Sequence, residues 1–162
     1  FPPEEIEALV LGSRWVVERA DVRLRDAALS ALARIGAVLP PDLRDEMDSS
    51  ALFVVPGASA PLDTVDPALL RKAIRTETRL ILFYNDEAGV ASQRVVWPFA
   101  LAFFDRVRLV LAWCELRQDF RSFRTDRISA VELGQGRYPR RRQALMKAWR
   151  EQEALRRGSE SC

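Results

Sequence analysis

The chain has 162 residues, 48% of them hydrophobic and 30% charged, with a formal net charge of +2, which suits one compact domain or two small ones sharing an interface. With no histidine and only two cysteines, it excludes the usual zinc constellations, Ser-His and Cys-His nucleophile pairs, a histidine general base and a disulfide-stapled scaffold. Residues 1–66 carry 6 basic and 12 acidic groups whereas residues 67–162 carry 19 and 11, so only the C-terminal part is built to attract an anion.

The opening FPPEEIEALV lacks the basic and apolar regions of a signal peptide, and no run approaches the roughly 18 apolar residues that span a bilayer, so a cytoplasmic protein without a membrane partner is expected. Pro2 and Pro3 followed by Glu4 and Glu5 start a helix that reaches about Ala20 and buries a face of Ile6, Leu9, Val10, Val16 and Val17. Asp21 caps a second helix, roughly Val22 to Val38, with a stripe of Leu24, Ala28, Leu32, Ile35 and Leu39 that ends before Pro40 and Pro41. The pair reads as an αα-hairpin. A DNA-reading helix-turn-helix needs a basic recognition helix, and this segment is acidic.

Asp42 to Asp48 adds a short helical turn, and Ser49 to Asp66, with Pro56, Gly57 and Pro61, has the composition of a connector. Asp66 and Pro67 open a short helix through Leu69, Leu70, Ala73 and Ile74. From Arg79 the pattern changes to short β-branched and aromatic runs: RLILFYND, a turn at Glu87 to Gly89, SQRVVWP, FALAFF, RVRLVLAWCEL, and DFRSFRTDRI with SAVEL. Five strands with tight connections and no crossover helices favour a small antiparallel sheet rolled into a barrel, ended by Gly134, Gly136 and Pro139. Arg140 to Arg157 returns to helix.

The stretch Leu109 to Ile128 joins two apolar strands through a polar turn and then spaces Arg121, Arg124 and Arg127 evenly. An unpaired guanidinium is costly in a low-dielectric site, so internal acids or an external anion must answer these cations. Strand alternation puts Arg121, Phe123 and Thr125 on one face and Phe120, Ser122 and Arg124 on the other. Arg94, Arg121 and Arg127, with Tyr84 alongside, are the strongest candidates for an anion cradle, because guanidinium forks bind phosphate or carboxylate bidentately. For any single arginine, an ion pair with Asp86, Glu115, Asp119 or Asp126 is the plainer reading. Trp97, Trp113, Phe103, Phe104 and Phe120 suit a core or interface, Cys114 a small core position, and the basic run Arg137, Arg140, Arg141 and Arg142 a solvated surface.

The segments FPPEEIEALVLGSRWV and AWCELRQDFRSFRTDRI resemble the WYL-domain transcriptional regulators of bacteria, the YafY-like group within the DeoR-type class; the second stretch is the more specific. At the name-giving tripeptide the chain departs from the family, with Arg108, Leu109 and Val110 in its place. The resemblance implies an α+β chain: a helical connector over 1–60, a WYL domain with a five-stranded Sm-like (SH3-like) antiparallel β-barrel over 61–137, and a C-terminal helix and tail over 138–162. It also implies an N-terminal winged helix-turn-helix that these residues do not include.

By that resemblance the chain is a non-catalytic effector sensor, with ligand-binding positions at Tyr84, Arg94, Trp113, Arg121, Arg124 and Arg127 and no metal or other cofactor. Its expected partners are an anionic small molecule, a nucleotide or a single-stranded nucleic acid, a second copy in a homodimer, and DNA through the winged helix. Two rivals stand beside this: an Sm-like barrel that binds single strands directly, stacking bases on Tyr84 or Trp113, and an interaction module whose helical hairpin dimerises without any ligand.

Overall fold

The computed structural model describes residues 2–49, 64–104 and 106–160, which fall into two compact units, Phe1–Ser59 and Ala60–Cys162. The first unit is helical, with α1 (Pro3–Arg19), α2 (Val22–Val38) and α3 (Pro41–Ser49). Asp21 caps α2 as expected, its carboxylate accepting from Arg23 N at 3.1 Å and Leu24 N at 3.3 Å. Ile6, Val10 and Leu39 form the buried centre, with Leu32, Ile35, Leu43 and Met47 packed on it. Leu9, expected inside, is 44% exposed, because the buried face of α1 narrows to the Ile6 and Val10 line.

The short turn expected at Asp42 to Asp48 is a nine-residue helix. Arg44 on that helix reaches back to α2, donating to the carbonyls of Gly36 at 2.6 Å, Ala37 at 3.3 Å and Leu39 at 3.4 Å. Those carbonyls lie at the helix end, where intrahelical donors run out, so one guanidinium caps α2 and fixes α3 beside it. Most of the proline-rich connector expected from Ser49 to Asp66 lies outside the described residues.

The second unit begins with α4 (Pro67–Thr76), where Asp66 accepts from Ala68 N at 2.9 Å and Pro67 takes the first helical position. Five strands follow: β1 (Thr78–Asn85), β2 (Ala91–Phe103), β3 (Arg108–Cys114), β4 (Asp119–Arg124) and β5 (Ile128–Arg137), with α5 (Arg142–Glu160) after them. They form an antiparallel sheet of order β4-β3-β2-β1-β5. The α+β class and the strand number agree with the sequence reading, but two boundaries differ.

SQRVVWP and FALAFF, expected as separate strands, are one 13-residue strand. Its first half pairs with β1 and its second with β3, and the register shifts between Pro98 and Ala100, where a residue without an N–H is tolerated. DFRSFRTDRI with SAVEL, expected as one strand, is broken by a 3-10 turn at Thr125–Arg127 into β4 and β5. That turn carries β5 away to pair with β1, so β4 and β5 are the two edges. Among the described residues the sheet is open, not the closed barrel expected.

Each face of the sheet has its own core. On one side Leu70 and Ala73 of α4 meet Leu80, Leu82, Val96, Val110, Ala112, Cys114, Phe123 and Ile128, so all five strands contribute. That side is the inner one. On the outer side Phe99, Leu111, Tyr138 and Leu145 are buried with Trp97, Trp113, Phe120 and Trp149 around them. Tyr138, held by its hydroxyl donating to Pro98 O at 2.9 Å, ties the approach to α5 onto the middle of β2. No helix among the described residues is long and apolar enough to cross a membrane.

Candidate ligand-binding site

The arginines of the closing series are answered in different ways. Arg124 makes a bidentate pair with Asp126, Nε to Oδ1 at 3.0 Å and Nη2 to Oδ2 at 2.7 Å. The hydrogen bond from Arg124 holds the Asp126 carboxyl below the usual carboxylate range and raises the guanidinium in turn. This neutralisation takes Arg124 out of an anion cradle. Arg121, exposed on β4, and Arg127, half-buried in the 3-10 turn, make no hydrogen bond or ion pair among the described residues.

Register decides which cations share a face, since directly paired residues of an antiparallel ladder project to the same side. Arg94 on β2 pairs with Leu82, and Arg121 on β4 with Ala112; both partners are buried in the inner core. Tyr84 pairs with Ser92 on β2 and with Ile128 on β5, and joins the inner core as well. Tyr84, Arg94 and Arg121, from three strands, therefore lie on the inner side of the sheet. Tyr84 also links β1 to β4: its ring meets Phe123 edge-on at 5.1 Å and its hydroxyl accepts from Arg124 N at 3.3 Å.

Arg94 is half-buried, and its described partners are Ser92 Oγ at 3.2 Å from Nε and the buried Cys114 Sγ at 3.9 Å from Nη1. Neither carries a formal negative charge to balance the guanidinium, and no carboxylate among the described residues reaches it. The sequence alone does not single out Ser92 or Cys114 as site residues. The period of two along β2, which puts Ser92 beside Arg94, was the signal for the first; Cys114 depends on the pairing of β2 with β3 and had no local signal.

Trp113 lies elsewhere. It belongs to the outer core, tilted against Trp97 at 6.1 Å and edge-on to Phe120 at 5.2 Å, so it does not join Tyr84 and Arg94. On that face Glu115 Oε1 accepts from Trp97 Nε1 at 2.8 Å and from Arg79 Nε at 3.3 Å, so its described partners are not the arginines of the expected cradle. Among the described residues no cluster of three His, Cys, Asp or Glu side chains has the placement of a metal site.

Residues 67–133 match the family model of the WYL domain. That segment resembles a WYL domain. The match runs from α4 to β5 and takes in Tyr84, Arg94, Arg121, Arg124 and Arg127, leaving the first unit and α5 outside it. Arg108 places its guanidinium over the Phe103 ring, 5.8 Å from the centroid. Among solved structures the chain is similar to proteasome accessory factor B/C (PafBC) of Arthrobacter aurescens, with 22% identity and a TM-score of 0.45. The alignment covers 72% of this chain and 21% of that one, so the chain spans only about a fifth of that protein's length.

Proposed function

We propose that this chain is the effector-sensing portion of a WYL-domain transcriptional regulator, in which an anion held on the inner side of a rolled, Sm-like sheet controls DNA binding by a separate winged helix. The observation that carries the reading is Arg94, a half-buried guanidinium whose partners among the described residues are a hydroxyl and a thiol. Leaving such a charge without a counter-charge is costly, and an incoming phosphate or carboxylate removes the cost while gaining charge-assisted hydrogen bonds. Arg121 on the same side and Arg127 beside Asp126 add positive potential that favours the same guest.

The aromatic placement favours a compact anion or nucleotide over a stacked single strand. Tyr84 is committed to Phe123 and the Arg124 amide, and Trp113 is packed among outer-core rings, so neither presents a free platform for bases. The test is a titration of the chain with adenosine monophosphate and with oligothymidylate over a range of salt, on wild type, Arg94→Gln and Arg121→Ala/Arg127→Ala. The expected result is affinity for the mononucleotide that Arg94→Gln lowers about tenfold, the usual scale of one charge-assisted bond, with an unchanged melting temperature. Equal affinity in folded wild type and both variants overturns the reading. Tighter binding of oligothymidylate with a steep salt slope points instead to the single-strand binder.

A further inference from the structure

Between the end of β5 and the middle of α5 the chain becomes strongly basic. Residues 137–150 hold six basic side chains and no acidic one, and they lie beyond the 67–133 segment matched by the WYL model. Buried groups fix how this stretch sits on the sheet. Tyr138 is anchored to Pro98 O, Leu145 is fully buried, and Trp149 packs on Phe99 at 6.2 Å, so one side of α5 is committed to the outer core. The helical period then turns Gln143, Lys147 and Arg150 to solvent, with Arg142 half-buried at the flank.

Arg142, Met146, Lys147, Arg150 and Glu151, with Gln143, line one shallow depression of about 390 Å³. Arg141 is paired with Glu77 at 3.9 Å, whereas Arg137, Arg140, Arg142, Lys147 and Arg150 make no ion pair among the described residues. The first turn of α5 holds no acid, so the positive end of its dipole adds to the same potential. The make-up of this side selects among polyanions. A single strand is held by bases stacked on aromatic platforms, and the aromatic residues of the stretch, Tyr138 and Trp149, are turned into the outer core. A membrane-bound helix inserts large apolar side chains beside its cations, whereas the exposed side chains from Arg142 to Glu151 are Gln143, Ala144, Lys147, Arg150 and Glu151. Cations held on one rigid helix suit a partner that presents fixed phosphates alone. We propose that the basic side of α5 is a sequence-independent contact for the phosphate backbone of duplex DNA, supplied by this chain itself and separate from any winged helix. Arg142, Lys147 and Arg150 take the phosphates. The proposal is independent of the Arg94 reading and stands if that reading fails.

The probe is a fluorescein-labelled DNA duplex of arbitrary sequence, followed by anisotropy as the full chain is added at salt concentrations between about 50 and 200 mM. At physiological salt the expected Kd is about 10⁻⁴–10⁻⁶ M, and log K should fall against log salt with a slope of about −2.7 or steeper, about 0.9 for each of three neutralised phosphates. Arg142→Gln/Lys147→Gln/Arg150→Gln should weaken binding about tenfold or more and flatten the slope by about 2.7. Lys147→Gln/Arg150→Gln, which touches only exposed positions and leaves the half-buried Arg142 in place, should flatten it by about 1.8. The charge-matched control Arg23→Gln/Arg34→Gln/Lys72→Gln, at exposed positions elsewhere, should bind as wild type does. Duplex binding that is absent in wild type, unchanged in the folded α5 variants or equally weakened in the control overturns the proposal. So does tighter binding of oligothymidylate, an RNA duplex or phosphatidylglycerol vesicles than of the DNA duplex.

Discussion

Asp126 shows how a single carboxylate sorts the arginines of this chain. It is spaced two residues from Arg124, and at the 3-10 turn that follows β4 the two side chains meet in a bidentate pair. The sequence contained the pair as one of several options, but the bend that selects it depends on the turn. Because the folded Asp126 carboxyl is depressed, its contribution to stability is present above the ordinary aspartate pKa of about 3.9 and lost as pH falls through the folded value. Denaturant titrations at successively lower pH should show this loss in wild type and a shallower slope in Asp126→Asn. Tyr138 works in the opposite direction: burial pushes its hydroxyl up to about 12, so the stability it confers is complete below pH 10 and declines as pH rises from there through about 12. Tyr138→Phe should remove that alkaline decline and cost about 1–3 kcal/mol at neutral pH, by leaving the buried Pro98 carbonyl without its donor.

Among the elements, caps were the most legible features. Asp21 and Asp66 were identifiable because a short acidic side chain before an apolar helical run satisfies orphan N–H groups, whatever the tertiary context. Strand limits were not legible in the same way. Pro98 suggested a break, yet β2 runs through it by shifting register, a compensation supplied by β3. Nothing local in FRTDRIS marked the end of β4, since the 3-10 turn forms where Thr125 is buried against the sheet, its hydroxyl donating to Arg108 O at 3.3 Å. On β5, Gly134 is required by close approach: a Cβ there would lie 2.8 Å from Arg79 Cβ and 3.1 Å from Arg79 O. Gly134→Ala should therefore destabilise the chain by about 1–3 kcal/mol, the scale of overpacking against backbone, read as a lower denaturation midpoint with an unchanged m-value.

At the scale of the molecule, the charge asymmetry between the two ends of the sequence matches a division into two units, each with a core of its own. The WYL match stays within the second unit, where helix α4 and all five strands bury one core. Residues 60–162 expressed alone should retain the β-sheet signal in circular dichroism and unfold cooperatively; a molten, non-cooperative fragment would refute that autonomy. Of the six positions expected to meet a ligand, the strand period and ladder register bring Tyr84, Arg94 and Arg121 to one side, while packing claims Trp113 and an internal acid claims Arg124. The central claim is that the inner side accepts an anion at Arg94. Its most direct measurement follows the Nε–Hε signal of Arg94 in the ¹⁵N-labelled chain as adenosine monophosphate is added: a saturable shift, absent for adenosine, is predicted, and a signal unmoved by the nucleotide would contradict the account.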